Sequence, residues 1–300
     1  MKNYYKPSGK FSPISLMYFL LLSVTAFPLL GLIYAYCIWY IPFVFINILF
    51  TAIFGFLIGY LINSAVIEKG KVRNVTVAFV FGLVGGFLAL YFHWAVWTDL
   101  VINAGESYGN SRIGVSVSNI KIVQVFSLII QPETLFDLIN EINVYGTWGV
   151  RSNTVNGTFL LTIWIIEFLI IVGIAILSSL MKVKEPFCEK ENIWFKKLKL
   201  GPFEYLEDPS KIVKELENGD SQQIMNIQLN EDPIANHSIF TLFMSNYRDS
   251  YLSIENKESK INKKGKLEFD SDIFLEYIFI NEPLKESLLK KMSDSKTTNN

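Results

Sequence analysis

The stretch from Thr158 to Met181, TFLLTIWIIEFLIIVGIAILSSLM, decides the fold class of this chain. It is longer than the roughly 20 apolar residues that cross a bilayer. Glu167 is its single charged residue, and the sequence after Met181 is rich in charge, as in an ordinary soluble domain. The stretch therefore predicts the last of four membrane helices and the anchor of a cytosolic domain.

Two earlier segments, residues 11–67 and 74–98, contain no Asp, Glu, Lys or Arg. Their lengths predict two spans in the first segment and one in the second, because one span takes about 20 residues. We therefore expect transmembrane helices 1–3 within residues 14–97 and helix 4 at 158–181. Pro28 lies near the middle of the first span and predicts a kink there, because proline has no amide hydrogen.

Basic residues cluster on one side of this predicted membrane domain. The positive-inside rule then places both termini in the cytoplasm, with residues 1–13 as a cytosolic tail of a multi-pass cell-membrane protein. The N-terminal run resembles a signal peptide, but its apolar sequence continues to Tyr40, which favours an uncleaved anchor. The clustered basic residues are Lys2, Lys6, Lys10, Lys69, Lys71, Arg73, Lys182 and Lys184.

Residues 98–157 form the predicted extracytoplasmic segment. Apolar residues recur at helical spacing between Gln131 and Asn143, which predicts an amphipathic helix. We expect this helix to lie in the outer membrane interface, and a small folded cap is the alternative.

Residues 182–292 carry strand and helix patterns in the order of a small α+β domain with an antiparallel sheet. The polar end, residues 293–300, predicts a disordered tail. The fold class is thus a mainly α membrane protein, in which a four-helix transmembrane bundle carries a C-terminal cytosolic α+β domain.

Glycines at a spacing of four residues occur on two of the predicted spans. Gly55 and Gly59 lie on the second span, and Gly82 and Gly86 lie on the third at nearly the same predicted depth. Small residues let membrane helices approach closely. We therefore expect the second and third helices to touch at these glycines, although glycine is also common in membrane helices generally.

Glu167 is the acidic residue within the predicted spans that most needs an explanation. Placing a lone carboxylate in hydrocarbon costs about 2.5–3.5 kcal/mol. It should face protein or water. By depth, Asn47 is its nearest predicted polar neighbour and His93 lies further out. Glu167 is interpreted first as a neutral, hydrogen-bonded carboxyl that locks helices together, and second as a proton or cation site. His93 is interpreted as an interfacial anchor, with a ligand or relay role as the alternative.

The sequence lacks the common nucleotide-binding and catalytic motifs. It has no Walker loop, no HExxH and no GxSxG, so we expect no enzyme, no catalytic residues and no cofactor. Two cysteines and two histidines cannot supply a four-ligand metal site unaided, and the net charge of −1 gives no support to nucleic-acid binding. The bilayer and a protein bound by the cytosolic domain are the expected partners. The leading function is therefore a non-enzymatic, membrane-anchored interaction module, and the alternative is a subunit of a small oligomeric channel or transporter that uses Glu167.

Overall fold

The computed structural model describes residues 3–41, 43–109, 114–146, 148–150, 153–232, 234–246 and 249–298. Lys2, one of the clustered basic residues, lies outside these ranges. The described chain divides into a helical unit, residues 8–184, and a sheet unit, residues 3–7 with 185–298. The predicted N-terminal tail is therefore split, since its first described residues belong to the sheet unit.

The described part of the helical unit contains long apolar helices, two shorter helices and two antiparallel hairpins, β1–β2 and β3–β4. In chain order the elements are α1 (Ile14–Val24), α2 (Ala26–Tyr40), α3 (Val44–Leu61) with a π-helical continuation (Ile62–Lys69), α4 (Val75–Ile102), β1 (Ser107–Gly109), β2 (Gly114–Ser116), α5 (Ile122–Ile130), α6 (Pro132–Tyr145), β3 (Trp148–Val150), β4 (Asn153–Val155) and α7 (Gly157–Val183).

Among the described residues, four helices are long and apolar enough to cross a membrane: α1 with α2, α3 with its continuation, α4, and α7. The expectation of four such helices is confirmed. Their shared core contains Phe27, Ile58, Phe81 and Ile171, each at most 5% exposed. The outward side chains of the same helices are large and apolar, which suits lipid contact better than water.

The first long helix is interrupted at Thr25, where φ is −121° and ψ is −71°. Pro28 cannot donate a hydrogen bond to the carbonyl of Val24, so the helical ladder is broken in this turn. The predicted kink is thus an actual break that precedes the proline by three residues.

Residues 103–156 of the described chain form a folded cap on the ends of α2 and α4. Helices α5 and α6 meet at 107°. Leu135 of α6 is fully buried in a cluster with Trp97 and Leu100 of α4. The hydroxyl of Tyr40 donates to the Ser118 carbonyl at 2.6 Å. Of the two predicted alternatives, the structure has the folded cap, because the apolar face of α6 is covered by α4.

The sheet unit contains a four-stranded antiparallel sheet of order β10-β9-β8-β7, a separate hairpin β5–β6 and three helices. Its elements are β5 (Phe187–Cys188), β6 (Ile193–Trp194), β7 (Lys196–Glu204), α8 (Pro209–Glu217), α9 (Gln222–Asn226), β8 (His237–Met244), β9 (Ser250–Ile261), β10 (Leu267–Ile280) and α10 (Glu282–Thr298).

The sheet has one buried face and one open face, as the alternation of its central strands requires. Phe240 on β8 and Ile254 on β9 are fully buried together with Ile212 of α8 and Leu284 of α10. The intervening residues of β8 and β9 point to the opposite face and are partly exposed, except Phe243, which is buried in a small cluster with Cys188 and Phe195. That open face begins at His237, the first residue of β8.

The N-terminal residues add a short pairing to the edge strand β10. Tyr4 bridges Ile278, and the amide of Phe279 donates to the Asn3 carbonyl at 2.5 Å. The Tyr4 hydroxyl donates to Oε1 of Glu217 at 2.9 Å. Partial burial and this hydrogen bond raise the pKa of Tyr4 to about 12, so the phenol stays a donor. Both ends of the chain therefore stabilise one domain.

The predicted disorder of residues 293–300 is wrong for the described part of that range, because α10 continues to Thr298. Helix α10 contains no glycine, and its one proline, Pro283, lies in the first turn, where a helix tolerates it. Polar composition alone did not stop the helix.

Candidate functional site

Glu167 lies on α7 and belongs to a polar cluster that joins three of the long helices. The Tyr34 hydroxyl, from α2, is hydrogen-bonded to Oε1 of Glu167. The same hydroxyl is 2.8 Å from Oγ1 of Thr51 on α3. Thr51 Oγ1 in turn donates to the backbone carbonyl of Asn47 at 2.8 Å. A continuous hydrogen-bonded chain therefore runs from α7 through α2 to α3.

Aromatic rings fix the position of the Tyr34 hydroxyl. The Tyr34 ring stacks on Phe54 at a centroid distance of 4.4 Å and an interplanar angle of 8°. His93 of α4 packs against the other rings, 4.5 Å from Tyr34 and tilted by 46°. Tyr34 and His93 are each 3% exposed. The fourth long helix thus contributes to the cluster through a ring contact.

Asn47 and His93, the predicted polar neighbours of Glu167, both lie in the cluster, but the hydrogen-bond partner of Glu167 is a different residue. Asn47 was expected to be the nearest partner, but its backbone carbonyl, not its side chain, enters the chain of hydrogen bonds. Its buried Oδ1 has no hydrogen-bond partner among the described residues, and neither has the buried Nδ1 of His93. The partner of Glu167 is Tyr34, whose hydroxyl reaches from the buried part of α2. Residue depth alone misidentified this partner.

The glycine pairs lie at close helix contacts, but not at the predicted contact. A Cβ atom on Gly55 would lie 2.7 Å from the Ile171 carbonyl oxygen of α7. One on Gly82 would lie 2.8 Å from Cα of Ile176, also on α7. Gly59 and Gly86 likewise face α7. The expected contact between the second and third helices at these glycines is therefore wrong, because both smooth faces receive the fourth helix between them.

A second candidate site is an open groove on the free face of the sheet. It has a volume of about 360 Å³. This size lies within the range of about 300–1,000 Å³ that is usual for ligand sites. Apolar groups and charges of both signs share its lining. The lining residues are Lys199, Leu200, Gly201, His237, Ile239, Glu255, Lys257 and Phe269.

The polar groups of this groove are held by one another. Lys257 Nζ lies 2.9 Å from Oε2 of Glu255, and Lys199 Nζ lies 3.9 Å from Oε1 of the same carboxylate. Nδ1 of His237 hydrogen-bonds the Ala235 carbonyl at 3.0 Å. One carboxylate is therefore shared by two ammonium groups, which leaves the groove with excess positive charge.

His237, the first residue of β8, lines this groove. Its ring meets Phe269 edge to face at a centroid distance of 4.9 Å. The strand alternation of Lys199, Ile239 and Glu255 was a signal for a shared face. Finding it required the register that pairs Lys199 with Thr241 and Ile239 with Glu255.

Within the described ranges, no group of three or more His, Cys, Asp or Glu side chains could hold a metal ion. No protein-family model, curated protein or solved structure matches the chain. The functional argument therefore depends on the geometry of the two sites.

Proposed function

We propose that the protein is a multi-pass membrane protein whose sheet unit binds a protein partner in the cytoplasm. The groove on the free face of the sheet carries this proposal. A solvent-facing sheet face needs neither a hollow nor an apolar floor, whereas a binding surface combines both with a few placed charges. Ile239 and Phe269 supply the apolar part of the lining, and Lys199, Glu255 and Lys257 supply the charges.

The electrostatics of the groove favour a partner segment with an acidic side chain. Lys199 is 75% exposed at its side chain, whereas Glu255 is 14% exposed and already engaged by Lys257. An incoming carboxylate therefore meets Lys199 before it meets Glu255. Such charge complementarity contributes to orientation and association rate more than to raw affinity.

The groove is tested by site-specific photo-crosslinking in native membranes. A photoreactive residue at Ile239 should give one discrete adduct, which Lys199→Glu abolishes by reversing the charge. A photoreactive residue at Lys264, on the exposed β9–β10 turn, serves as the positional control. Lys211→Glu, at an exposed side chain of α8, serves as the charge control. Equal adducts from both positions, or an adduct indifferent to Lys199→Glu, would refute the groove as the binding surface.

Orientation in the membrane is proposed from charge and from the pairing of the chain ends. Four spans return the chain to its starting side, and residues 3–5 pair with the sheet unit. The positive-inside rule makes that side cytoplasmic. In a cysteine-free background, a cysteine at Asp220 should be labelled only from the cytoplasm and one at Asp137 only from outside. Labelling of both from one side would refute this topology.

The second candidate function is a subunit of a small oligomeric channel or transporter that uses Glu167. The polar cluster of Glu167, Tyr34 and Thr51 favours it, since intramembrane carboxyl groups commonly mark ion or proton pathways. Four spans are few for a complete pathway, so this function implies a homo-oligomer. Ion flux into vesicles that contain the purified protein tests it, with Glu167→Gln as the variant. Equal flux in both proteins would exclude Glu167 from the pathway.

A further inference from the structure

The chain of hydrogen bonds at Glu167 has three links but only two hydroxyl hydrogens. The links join Glu167 to Tyr34, Tyr34 to Thr51, and Thr51 to the carbonyl oxygen of Asn47. Tyr34 and Thr51 each have one hydroxyl hydrogen, and the Asn47 carbonyl can only accept. One of the three links is therefore left without a hydrogen if Glu167 is ionised.

A proton on Glu167 completes the chain. The carboxyl O–H then donates to the Tyr34 oxygen, Tyr34 donates to Thr51, and Thr51 donates to Asn47. We propose that Glu167, Tyr34 and Thr51 form a proton-binding site inside the helical unit, with the bound proton on the Glu167 carboxyl. This inference goes beyond the proposed binding role of the sheet unit and does not depend on it.

The surroundings supply no positive charge that would hold Glu167 as an ion. Residues 11–67, 74–98 and 158–181 contain no Lys or Arg. The titratable groups packed around the chain are Tyr34 and Cys37 on α2 and His93 on α4, whereas α3 presents only the neutral Thr51 and Asn47. An ionised carboxylate would therefore be an unpaired buried charge, which is costly.

His93 is the one group that could take the proton in place of Glu167, and its hydrogen bonding opposes this. The imidazole hydrogen-bonds the backbone of Gly31, and its buried Nδ1 has no partner among the described residues. An imidazolium carries hydrogen on both ring nitrogens, so it would bury an unsatisfied N–H at Nδ1. A neutral ring leaves only a lone pair there. The geometry thus assigns the proton to Glu167.

Release of the proton removes one hydrogen bond from the chain. The proton leaves to solvent, and the carboxylate keeps the hydrogen bond that Tyr34 donates. Thr51 then donates either to Tyr34 or to Asn47, and one of the links is lost. If Thr51 keeps its hydrogen bond to Asn47 on the same helix, the lost link is the one between α2 and α3, so occupancy of the site is coupled to that contact.

Infrared difference spectroscopy on the full chain in lipid vesicles tests the proposal. At neutral pH, Glu167→Gln should remove one carbonyl band of a protonated carboxylic acid and leave the carboxylate bands unchanged. Other carboxyl groups, including that of the buried Asp99, cancel in the difference. Loss of a carboxylate band instead would overturn the proposal, because it would show an ionised Glu167.

A second variant tests the chain even if Glu167→Gln fails to fold. Tyr34→Phe removes the acceptor of the carboxyl O–H, so the acid band should remain and shift to higher wavenumber. Tyr40→Phe makes the same change at the end of α2, where the hydroxyl donates to Ser118, and this matched control should leave the band in place. An acid band that Tyr34→Phe does not shift would overturn the role of Tyr34. These infrared measurements do not depend on ion flux into vesicles. A failure of the transport function can therefore be distinguished from a failure of this proposal.

Discussion

Gly59 lies so close to α7 that a Cβ atom on it would stand 2.5 Å from Cβ of Ser178 and 2.6 Å from the Ala175 carbonyl oxygen. The second atom belongs to the backbone and cannot swing aside. A Cβ atom on Gly82 would stand 2.5 Å from Oγ of Ser179, on the neighbouring face of the same helix. Two adjacent faces of α7 therefore pack against positions that accept no side chain.

Gly59→Ala should destabilise the helical unit by about 1–3 kcal/mol, the usual cost of overpacking a close-packed core. Thermal unfolding in detergent measures the change. Gly173→Ala is the matched control on α7, where an added Cβ meets nothing within 4 Å. That variant should be neutral or stabilising by about 0.5–1 kcal/mol, since alanine is the better helix former. Equal effects of the two substitutions would contradict the close approach at Gly59.

Asp99→Ala should loosen the cap. The Asp99 side chain is fully buried, and its Oδ2 accepts from the Lys121 amide at 2.9 Å while its Oδ1 accepts from Asn103 Nδ2 at 3.1 Å. Removing the carboxylate takes the acceptor away from the Lys121 amide, which costs about 0.5–1.5 kcal/mol, as for a typical hydrogen bond. Limited proteolysis between residues 103 and 121 should become faster. Asp137→Ala, on the exposed face of α6, should leave the cleavage rate unchanged.

Helix α5 should contact lipid through one side. Ile122, Val123, Phe126 and Ile130 are 64%, 84%, 63% and 74% exposed, respectively, whereas Val125 and Leu128 of the same helix are buried. A spin label at Val123 should therefore be more accessible to oxygen, which partitions into the bilayer, than to a water-soluble nickel complex. A label at Asp137 should show the reverse order. Greater accessibility of the Val123 label to the nickel complex would instead place α5 in water.

Removal of residues 2–7 should weaken the edge of the sheet and spare its centre. The Phe279 amide loses its acceptor, the Asn3 carbonyl, and the Tyr5 amide no longer donates to Tyr277 at 2.9 Å. Hydrogen exchange at Phe279 should then accelerate at least tenfold, which corresponds to about 1.4 kcal/mol. The Leu242 amide, on a central strand, is the internal control. Uniform acceleration at both amides would mean that the deletion destabilises the whole domain.

The four long helices were predictable because each leaves an uninterrupted apolar run in the sequence. Lipid and core both favour such residues, so the run marks a helix whichever way its side chains face.

The ends of the long helices were less well defined by the sequence. Helix α4 continues to Ile102, five residues past the predicted end at Trp97, because Asp99 and Leu100 are buried by the cap and not exposed at an interface.

Helix partners were not predictable from the same pattern. The glycine spacing shows that Gly55 and Gly82 lie on smooth faces, but any of three other helices can fill a smooth face. Tyr34 lies near the end of a predicted span, where aromatic residues usually mark the membrane interface. It lies six residues before Tyr40, the last residue of α2, which is too deep for an interfacial ring and was the signal for a buried role.

The pairing of residues near 4 with residues near 278 also sets an order of assembly. The ribosome delivers the first of these segments before any long helix and the second after all of them. The N-terminal segment therefore has no β10 to pair with while the helical unit is being synthesised. Contacts so distant along the chain carry a large loop-closure cost and form slowly. The sheet domain consequently completes its folding only after the four long helices have been synthesised.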